Sequence, residues 1–268
     1  MSLDTDLHRK SGLITGGASG IGQALAVALA HEGVRVAVAD IRQADETLAQ
    51  IAKKGGESFH LPVDVGVESQ IVAMVEEASR RLGGLDIFVN CAATTRHELT
   101  TEITSKSWYE TLDVNLSACV WACREVARLM TPLRRGSILI IGSTANYTPA
   151  PSEGSYRVSK AGLKAFMQVL ALELAPYNIR VNMLTPGPFR TPLVARVPEE
   201  ARRAVVSQVP LQREGDPGEL SAAALLLLSD RLSPYTTGAE LIVDGGLSLR
   251  AIRMADRPAQ SDSPSGFG

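Results

Sequence analysis

Cysteine, aromatic residues and long apolar runs are all scarce in this 268-residue sequence. Its cysteines form no Cys-x-x-Cys pair, and Cys119 and Cys123, which share a helical face, are expected to be small buried hydrophobes. The four histidines are scattered without the spacing of metal ligands. The sequence therefore gives no support to a metal centre, and zinc-dependent alcohol chemistry is not expected.

A basic stripe and a membrane-spanning segment are also missing from the sequence. The net charge is −2 and the isoelectric point is near 6.1, and Lys and Arg form no run that would indicate a nucleic-acid surface. Residues 1–10 are charged and contain no apolar segment, and no later apolar run approaches the length of a membrane helix. We expect a cytoplasmic protein with neither a nucleic-acid nor a membrane partner.

What the sequence does contain is an alternation of short Val-, Ile- and Leu-rich runs with amphipathic or alanine-rich stretches. The runs lie at 13–14, 34–39, 59–63, 85–89, 137–141, 179–184 and 240–243. Helices are predicted at 21–30, 108–130, 155–175 and 215–230. Nearly continuous apolar runs are typical of parallel strands covered on both faces, and their alternation with helices implies a doubly wound sheet.

No linker or internal repeat divides the chain before its end. We therefore predict a single α/β domain over residues 1–249, with a Rossmann-like parallel sheet of about seven strands and helices on both faces. From residue 250 the composition shifts to Arg, Ser, Pro and Gly, so residues 250–268 are expected to form a weakly ordered tail.

A glycine-rich loop follows the first apolar run. Residues 15–22 read Thr-Gly-Gly-Ala-Ser-Gly-Ile-Gly and lead into the first predicted helix. Such a loop lets backbone N–H groups and the positive end of the helix dipole approach a pyrophosphate. Its spacing, Gly16-x-x-x-Gly20-x-Gly22, differs from the generic dinucleotide motif, and an isolated glycine cluster is more often an ordinary strand-to-helix turn.

A tyrosine and a lysine lie four residues apart later in the chain. Tyr156 and Lys160 fall on one face of a predicted helix, where the phenol and the ammonium can point into the same cleft. Tyrosine is a weak base at neutral pH, and an ammonium about 4 Å away contributes roughly the 4 kcal/mol needed to ionise it. This pair is suited to proton exchange with a hydroxyl group.

In this order the two motifs resemble those of the short-chain dehydrogenase/reductase family, and the resemblance extends from about Gly12 to Gly246. The family's Thr-Gly-x-x-x-Gly-x-Gly loop is matched by Thr15 and the three glycines of the motif. Its catalytic tetrad corresponds to Asn115, Ser143, Tyr156 and Lys160. Further matches are Asp64–Val65, Pro186–Gly187 with Thr191, and the closing segment 243–246.

The resemblance implies an NAD(P)-dependent oxidoreductase that interconverts an alcohol and a ketone without a metal. Tyr156 would exchange the proton and Ser143 would hold the substrate oxygen. Lys160 would support the tyrosinate and bind the nicotinamide ribose, and Asn115 would hold a water in a proton relay. The implied cofactor contacts are Gly16, Ser19, Gly20, Ile21, Gly22, Asp40, Ile41, Asp64, Val65, Asn90, Ala92, Tyr156, Lys160, Pro186, Gly187, Phe189 and Thr191.

Two positions depart from the family pattern. The family usually has Asn-Asn-Ala-Gly after the fourth strand, whereas this chain has Asn90-Cys91-Ala92-Ala93, and alanine adopts a positive φ less readily than glycine. The backbone path beside the cofactor at Ala93 is therefore left open. Phe189 replaces the smaller aliphatic residue common near the carboxamide loop, and it is expected to narrow the substrate mouth.

Two residues bear on the choice between NAD and NADP. Asp40, at the end of the second predicted strand, is expected to accept hydrogen bonds from the adenosine ribose and to repel a 2′-phosphate. Arg42 could pair with that phosphate, but we expect it to start a helix and to point to solvent. Ser19 occupies a position where phosphate-preferring relatives often have a basic residue. We predict NAD as the cofactor, with NADP the less favoured alternative.

Several alternatives stay open from the sequence. A 3-oxoacyl-carrier-protein reductase using NADPH shares these motifs, whereas an enoyl reductase would place six residues between its tyrosine and lysine, and the extended epimerases have a different glycine spacing. A catalytically silent dinucleotide-sensing module is opposed by the intact tetrad. The substrate is predicted only as a secondary alcohol, whether a polyol, sugar, hydroxy acid or cyclic alcohol. Arg96, His97 and Arg190 are expected to be solvated surface residues rather than ligands of an acidic substrate.

Two further expectations concern the lid and the assembly. Residues 191–213 should form a lid over the substrate cleft. The helices at 108–130 and 155–175 carry apolar residues all round, including Trp121 and Val169. In the family such helices pair across a twofold axis, and the closing strand near Leu241 makes a second symmetric contact, so a homotetramer is the predicted assembly.

Overall fold

The computed structural model describes residues 4–249, which form a seven-stranded sheet flanked by helices. The strands are β1 (Ser11–Thr15), β2 (Arg35–Asp40), β3 (Ser58–Pro62), β4 (Ile87–Asn90), β5 (Gly136–Ile141), β6 (Ile179–Pro186) and β7 (Glu240–Val243). Every neighbouring pair is parallel, in the order β3-β2-β1-β4-β5-β6-β7. The predicted doubly wound parallel sheet is confirmed.

Helices cover both faces of this sheet. They are α1 (Gly20–His31), α2 (Asp45–Ala52), α3 (Glu68–Leu82), α4 (Ser105–Leu112), α5 (Ala118–Leu133), α6 (Gly154–Leu174), α7 (Glu199–Val206) and α8 (Ser221–Leu228). Leu13 packs into a cluster with α3, α5 and α6, whereas its neighbour Ile14 packs into a second cluster with α1 and α8. Successive strand side chains point to opposite faces, so the strands need continuous apolar sequence to fill both clusters.

The strand order places a crevice at one edge of the sheet. β1 pairs with β2 on one side and with β4 on the other, so the chain leaves β1 in opposite directions in the two halves of the fold. The helices that follow the two strands diverge at this point, and ligands of doubly wound sheets bind there, outside the carboxyl ends of the strands. Any functional site of this fold is therefore expected at that edge.

The helix boundaries differ from the prediction in two places. The helix predicted at 108–130 is interrupted, because a π-helical turn at Asp113–Ser117 separates α4 from α5. The helix predicted at 215–230 begins as a 3₁₀ turn at Pro217–Leu220 before α8. Residues 191–213 contain a 3₁₀ turn at Val194–Arg196 and then α7. The predicted tail at 250–268 lies outside the described residues.

Two general findings accompany the fold. Within residues 4–249 no helix combines the length and the apolar character needed to traverse a bilayer. The same residues bring together no group of three His, Cys, Asp or Glu side chains that could hold a metal ion.

Candidate active site

Residues from five strands come together at the carboxyl ends of the strands, which we call the carboxyl edge of the sheet. Thr15 ends β1, Asp40 ends β2, Asn90 ends β4 and Pro186 ends β6, and Ser143 follows β5 by two positions. Parallel strands all finish at the same edge, so residues that are far apart in sequence meet around one crevice. The sheet thus places the predicted catalytic and cofactor residues on one side of the molecule.

The glycine loop after β1 forms a cradle that side chains would fill. Gly16 has φ of +70°, and a Cβ at this position would lie 2.8 Å from the backbone of Ala92. A Cβ on Gly22 would overlap the carbonyl oxygen of Gly16. The Thr15 hydroxyl oxygen accepts hydrogen bonds from the N–H groups of Cys91 at 3.1 Å and Ala92 at 3.3 Å. The loop is therefore built tightly against the segment after β4, at the start of α1, as a pyrophosphate site requires.

The same loop meets the segment that follows β6. Gly20 begins α1 with φ of +57°, and a Cβ on it would lie 3.3 Å from the Thr191 side chain. Ser19 precedes the helix in an extended conformation, and its hydroxyl accepts a hydrogen bond from the Arg42 guanidinium at 2.6 Å. Ile21 lies one residue further along α1, partly buried against the core. The contact between Gly20 and Thr191 closes one end of the crevice.

Asp40 is held at the rim of the cradle by both of its carboxylate oxygens. The side chain is 6% exposed. Oδ2 accepts a hydrogen bond from the Ala18 N–H at 3.0 Å, and Oδ1 accepts one from the Arg42 N–H at 2.9 Å. The expectation that Arg42 starts a helix is wrong, because α2 begins only at Asp45. Its side chain is 53% exposed, as expected for a surface residue, and its guanidinium also lies 3.5 Å from Asp40 and 2.6 Å from the Ser19 hydroxyl. Arg42 therefore borders the place predicted for the adenosine ribose.

The remaining predicted cofactor residues occupy varied environments. Ile41 is exposed and Asn90 is buried. Asp64 Oδ1 accepts a hydrogen bond from the Gly66 N–H at 2.9 Å, so this side chain already stabilises a turn. Val65 packs against the core on the α3 side. A Cβ on Gly187, just after β6, would lie 2.7 Å from Asp244, which shows how closely the loops after β6 and β7 approach.

Phe189 does not narrow the substrate mouth as expected. Its ring is 4% exposed and belongs to the core cluster on the α1 and α8 face. It packs directly over Gly215, where a Cβ would overlap the ring, and the two residues form a β-bridge. The residue is large because it fills this space, and any cofactor contact at this position would come from its backbone.

The two residues of α6 that the sequence predicts to be catalytic lie beside the end of β5. Lys160 is 3% exposed, and its Nζ donates a hydrogen bond to the carbonyl oxygen of Ile141 at 3.1 Å. The same Nζ lies 5.8 Å from the centroid of the Tyr156 ring. The lysine is therefore anchored to the strand that leads into Ser143, with its charge near the tyrosine.

Asn115 lies in the π-helical turn and is fully buried. Its Oδ1 accepts a hydrogen bond from the Thr94 N–H at 2.8 Å, and its Nδ2 donates to the Thr94 carbonyl at 2.9 Å and to the Ser159 hydroxyl at 3.1 Å. These bonds tie the loop after β4 to α6. The π turn gives the side chain this direction, and such turns are frequent at functional sites.

Ser143 begins a 3₁₀ turn at Thr144–Asn146, and its hydroxyl oxygen accepts a hydrogen bond from the Ala145 N–H at 3.1 Å. The turn is held from α6 by Arg157, whose guanidinium donates to the carbonyl oxygens of Ala145, at 2.7 Å, and Thr148. Sequence reasoning missed Arg157, although its place directly after Tyr156 was a signal that it belongs to the site.

The departure from the family pattern after β4 causes no backbone strain. Ala93 does not have a positive φ, so the glycine usual at this position is not needed for the chain path. Burial raises the pKa of the Cys91 thiol to about 12, which keeps this residue neutral beside the glycine cradle. The Asn90-Cys91-Ala92-Ala93 segment thus serves as an uncharged wall.

The basic residues considered for an acidic substrate are engaged elsewhere. Arg96 forms an ion pair with Glu110, and Arg190 lies 3.2 Å from Asp216. His97 is exposed. Arg202 in α7 lies 2.7 Å from Glu214, so this arginine is also paired with an acidic residue. The arrangement agrees with the expectation that Arg96 and Arg190 are surface residues.

The glycine cradle, the acidic end of β2 and the Tyr/Lys pair together define a dinucleotide-binding α/β oxidoreductase. The family model described as enoyl-(acyl carrier protein) reductase matches residues 16–248. The 3-oxoacyl-(acyl-carrier-protein) reductase of Thermotoga maritima is 36% identical over 247 residues, which cover 91% of this chain and 99% of that protein. The chain belongs to the short-chain dehydrogenase/reductase family.

Other relatives have different activities in their names. Glucose 1-dehydrogenase 2 of Bacillus subtilis is 34% identical over 250 residues, covering 91% of this chain and 96% of that protein. A protein from Agrobacterium tumefaciens, assigned as a 2-deoxy-D-gluconate 3-dehydrogenase and crystallised with bound NADP, has a TM-score of 0.86 at 32% identity, over 93% of this chain and 100% of that one. Similarity along the whole chain thus establishes the family, while substrate and cofactor must be inferred from the residues of the site.

Proposed function

We propose that this protein is an NAD-dependent dehydrogenase that interconverts a secondary alcohol and its ketone. The observation that carries the proposal is the grouping of Tyr156, Lys160 and Ser143 at the same sheet edge as the glycine cradle. The cradle offers backbone N–H groups at the start of α1 and leaves room for a pyrophosphate, so the residues present are compatible with a dinucleotide. The tyrosine, lysine and serine supply proton transfer without a metal.

The chemistry is the removal of a hydride and a proton from one alcohol. The dinucleotide, when bound, supplies the hydride acceptor. Tyr156 takes the hydroxyl proton as the C–H bond breaks, and Ser143 donates a hydrogen bond to the oxygen while it becomes a carbonyl. The electron pair of the C–H bond leaves with the hydride, the electron pair of the O–H bond becomes the second C–O bond of the ketone, and the proton forms the phenolic O–H of Tyr156. Reduction is the reverse, with Tyr156 as the acid.

Lys160 and Asn115 support this proton transfer. One of the three N–H donors of Lys160 is used by Ile141, which leaves donors for the ribose and a positive charge beside Tyr156. Asn115 holds the loop after β4 against α6 through Thr94 and Ser159. Asn115 Oδ1 accepts one hydrogen bond, from the Thr94 N–H, and retains a second lone pair for the water of a proton relay.

The direct test is a turnover screen with NAD⁺ at neutral and mildly alkaline pH. Polyols, sugars, hydroxy acids and cyclic alcohols are supplied in turn, and NADH formation is followed by absorbance. We expect at least one class to be oxidised by the wild-type protein and not by Tyr156→Phe. If no class is oxidised, with either NAD⁺ or NADP⁺, the dehydrogenase assignment is wrong, and the silent dinucleotide-sensing module becomes the better account if a 3-oxoacyl thioester with NADPH is not turned over either.

NAD is favoured over NADP because of the carboxylate at the end of β2. Asp40 is buried and fixed by the N–H groups of Ala18 and Arg42, so a 2′-phosphate at this rim would meet a negative charge that cannot move away. Charged hydrogen bonds to the ribose contribute about 1.5–3 kcal/mol each, and losing about 3 kcal/mol corresponds to roughly two orders of magnitude. We therefore expect kcat/KM to favour NAD by about a hundredfold or more.

A second candidate is a 3-oxoacyl-carrier-protein reductase that uses NADPH. Two observations favour it, the 36% identity with the Thermotoga maritima reductase and the position of the Arg42 guanidinium 2.6 Å from Ser19 at the rim of the cradle. Oxidation of NADPH by a 3-oxoacyl thioester, at least as efficient as alcohol oxidation with NAD⁺, would establish this alternative. An enoyl reductase is disfavoured because Tyr156 and Lys160 are only four residues apart.

The assembly that we propose is a homotetramer, through apolar surface that a monomer leaves exposed. On α6, Val169 is 52% and Leu172 is 78% exposed, and on the edge strand β7 Ile242 is 36% exposed. These two patches lie on different elements and so provide two separate self-association surfaces, as a closed tetramer requires. Light scattering at micromolar concentration tests it, and a mass near 28.5 kDa would rule it out.

A further inference from the structure

A polar network that no part of the proposed chemistry uses lies beneath the site, between α6, β6 and the edge strand β7. Its members are Tyr147, Lys164, Thr185 and Glu240. Glu240 lies at the start of β7, and its side chain is only 11% exposed. A carboxylate this well buried requires partners, and the network supplies them.

Every carboxylate oxygen of Glu240 is hydrogen-bonded within this network. Oε1 accepts a hydrogen bond from the Thr185 hydroxyl at 2.6 Å. Oε2 accepts hydrogen bonds from Lys164 Nζ at 2.8 Å and from the Tyr147 hydroxyl. The ammonium and the phenol thus share Oε2 as an acceptor. Lys164 Nζ also donates a hydrogen bond to the Tyr147 oxygen at 2.7 Å. The positive charge of Lys164 offsets the negative charge of Glu240, and the hydrogen bonds hold the four side chains in one arrangement.

The network also keeps its charges over a wide range of pH. Burial opposes ionisation of Glu240, but the hydrogen bonds from Lys164, Thr185 and Tyr147 outweigh it and hold the pKa of the carboxyl below its usual value. The hydrogen bond to Glu240 is the main cause that raises the pKa of Lys164. Burial and the neighbouring carboxylate raise the pKa of Tyr147, which therefore remains a donor.

One end of the network, Tyr147, belongs to the loop that carries Ser143. Tyr147 closes the 3₁₀ turn that Ser143 begins, with its N–H donating to the Thr144 carbonyl at 2.9 Å. Thr185 lies directly under the residue before Ser143, since a Cβ on Gly142 would be 2.6 Å from the Thr185 hydroxyl oxygen. The loop is thus fixed on both sides of the serine.

The other end of the network is attached to the helix that carries the proton-transfer residues. Lys164 follows Lys160 by one helical turn and Tyr156 by two, so the three side chains lie along one face of α6. The chain from Tyr147 through Lys164 therefore connects the Ser143 loop to α6 at a point independent of Arg157.

We infer that Tyr147, Lys164 and Glu240 are positioning residues that set the distance between Ser143 and Tyr156 and so the placement of the substrate oxygen between them. The inference rests on the proposed dehydrogenase function. Two groups that act on one oxygen must hold it to within a fraction of an ångström, and a misplacement of about 1 Å costs on the order of a hundredfold in rate. A contact that only stabilised the sheet edge would not act through Ser143.

A double-mutant cycle distinguishes these two roles. Tyr147→Phe keeps the ring and removes only the hydroxyl that reaches Glu240. We expect it to lower kcat about tenfold in the wild-type background while the KM for NAD changes less than twofold. In a Ser143→Ala background the same change should lower kcat less than twofold, because the group that it positions is already absent. Equal effects in the two backgrounds, or no effect in either, would overturn the inference.

The matched control is Tyr235→Phe, because the Tyr235 side chain is fully exposed. It should leave kcat unchanged in both backgrounds. The proposed function has its own outcome in this experiment: if Ser143→Ala turns over the best alcohol as fast as the wild type, the assigned role of Ser143 is wrong whatever Tyr147→Phe does.

Hydrogen exchange provides a readout that needs no substrate. The N–H groups of residues 145–148 all donate within the turn that starts at Ser143, so their exchange reports how firmly it is held. Tyr147→Phe and Glu240→Gln should each speed exchange in this segment at least tenfold and leave β1 unchanged, whereas Tyr235→Phe should change neither. Unaltered exchange at 145–148 would overturn the inference even if the dehydrogenase assignment holds, and faster exchange would show that the network holds the Ser143 loop even if that assignment fails.

Discussion

Buried polar groups are paired differently at the two ends of the strands, which we call the amino edge and the carboxyl edge of the sheet. At the amino edge, Arg180 at the start of β6 is 7% exposed and its guanidinium is fully engaged. It donates to the carbonyl oxygens of Leu227 at 2.6 Å and Leu228 at 3.0 Å, to Ser137, and to Asp230 at 3.0 Å. These bonds tie the end of α8 to β5 and β6, and they satisfy both partners.

At the carboxyl edge, several buried polar atoms have no protein partner. Among residues 4–249 these atoms are Glu98 Oε2, Asn146 Nδ2 and Oδ1, and Arg157 Nε. All of them lie in or against the loops that follow β4 and β5, next to the proposed substrate site. An unpaired buried group costs about 1–3 kcal/mol, so these atoms are candidates for hydrogen bonds with water or substrate. We therefore expect the contacts of Arg180 to contribute mainly to stability and the loops after β4 and β5 to contribute mainly to catalysis.

The largest effect is expected for Tyr156→Phe. The ring still packs while the proton-transfer group is lost, so kcat on the best alcohol should fall about a thousandfold. The dissociation constant for NADH should change less than a few-fold, and the free energy of unfolding should stay within about 0.5 kcal/mol. Retention of a tenth or more of the wild-type turnover would show that another group transfers the proton. Steady-state kinetics measures kcat, a fluorescence titration measures NADH binding, and urea denaturation measures the free energy of unfolding.

Arg180→Met should have the reverse signature. Removing one partner of a buried pair leaves carbonyl oxygens and Asp230 without donors, so the free energy of unfolding should fall by about 3 kcal/mol. The kcat/KM of the folded enzyme should remain within twofold, because Arg180 is at the edge opposite the crevice. Arg231→Met is the control: Arg231 is 64% exposed and pairs with an equally exposed Asp4, and its loss should cost less than about 1 kcal/mol. A large activity loss in Arg180→Met would break the division between the two edges.

The sequence was sufficient to predict the sheet because its evidence is local. Continuous apolar runs mark parallel strands wherever helices cover both faces, and the strands found here coincide with those runs to within a few residues. The tetrad residues could be located because they match the motifs of the family: Ser143 lies two positions after β5, Tyr156 and Lys160 lie on α6, and Asn115 lies in the π-helical turn between α4 and α5. The parallel order brings the carboxyl ends of the strands together at one edge, which accounts for the place of Ser143.

The incorrect expectations all depend on contacts between distant residues. In the π turn that divides α4 from α5, Asn115 forms hydrogen bonds with Thr94 and Ser159. Helix propensity depends on local sequence and cannot predict these bonds. Phe189 is buried because Gly215 leaves space for its ring. Arg42 precedes α2 instead of starting it, and its guanidinium bonds to Ser19, 23 residues earlier. Tyr147 and Glu240 likewise meet across 93 residues of sequence, and neither matches a motif that would have indicated the pair.

Asp40→Ser should produce a smaller change in activity, confined to the use of the cofactor. Loss of the carboxylate removes charged hydrogen bonds to the ribose, so the KM for NAD should rise about tenfold. The KM for NADP should fall, because Arg42, released from Asp40, becomes available to a 2′-phosphate. Because Asp40 is buried and accepts hydrogen bonds from the Ala18 and Arg42 N–H groups, urea denaturation should also show a loss of about 1–2 kcal/mol in the free energy of unfolding. A preference for NAD that is unaltered in Asp40→Ser would show that another residue discriminates between the cofactors.

The smallest effect is expected from the titration of Asp230, and it also separates the two edges. Burial opposes ionisation of this carboxyl, but the hydrogen bonds from Lys10 and Arg180 outweigh it and place its pKa below the ordinary value of 3.8. A carboxyl whose pKa is lower in the folded than in the unfolded state stabilises the protein above the unfolded pKa, and this contribution is lost as the pH falls below 3.8. Asp230→Asn should therefore be less stable than the wild type at neutral pH and should lose less free energy of unfolding between about pH 5 and pH 2. Because the side chain is 49% exposed, the difference should be modest and should shrink in 1 M salt. The pH dependence of kcat/KM should be identical in the two proteins, and equal acid losses of stability would show that the Arg180 cluster contributes through its carbonyl partners alone.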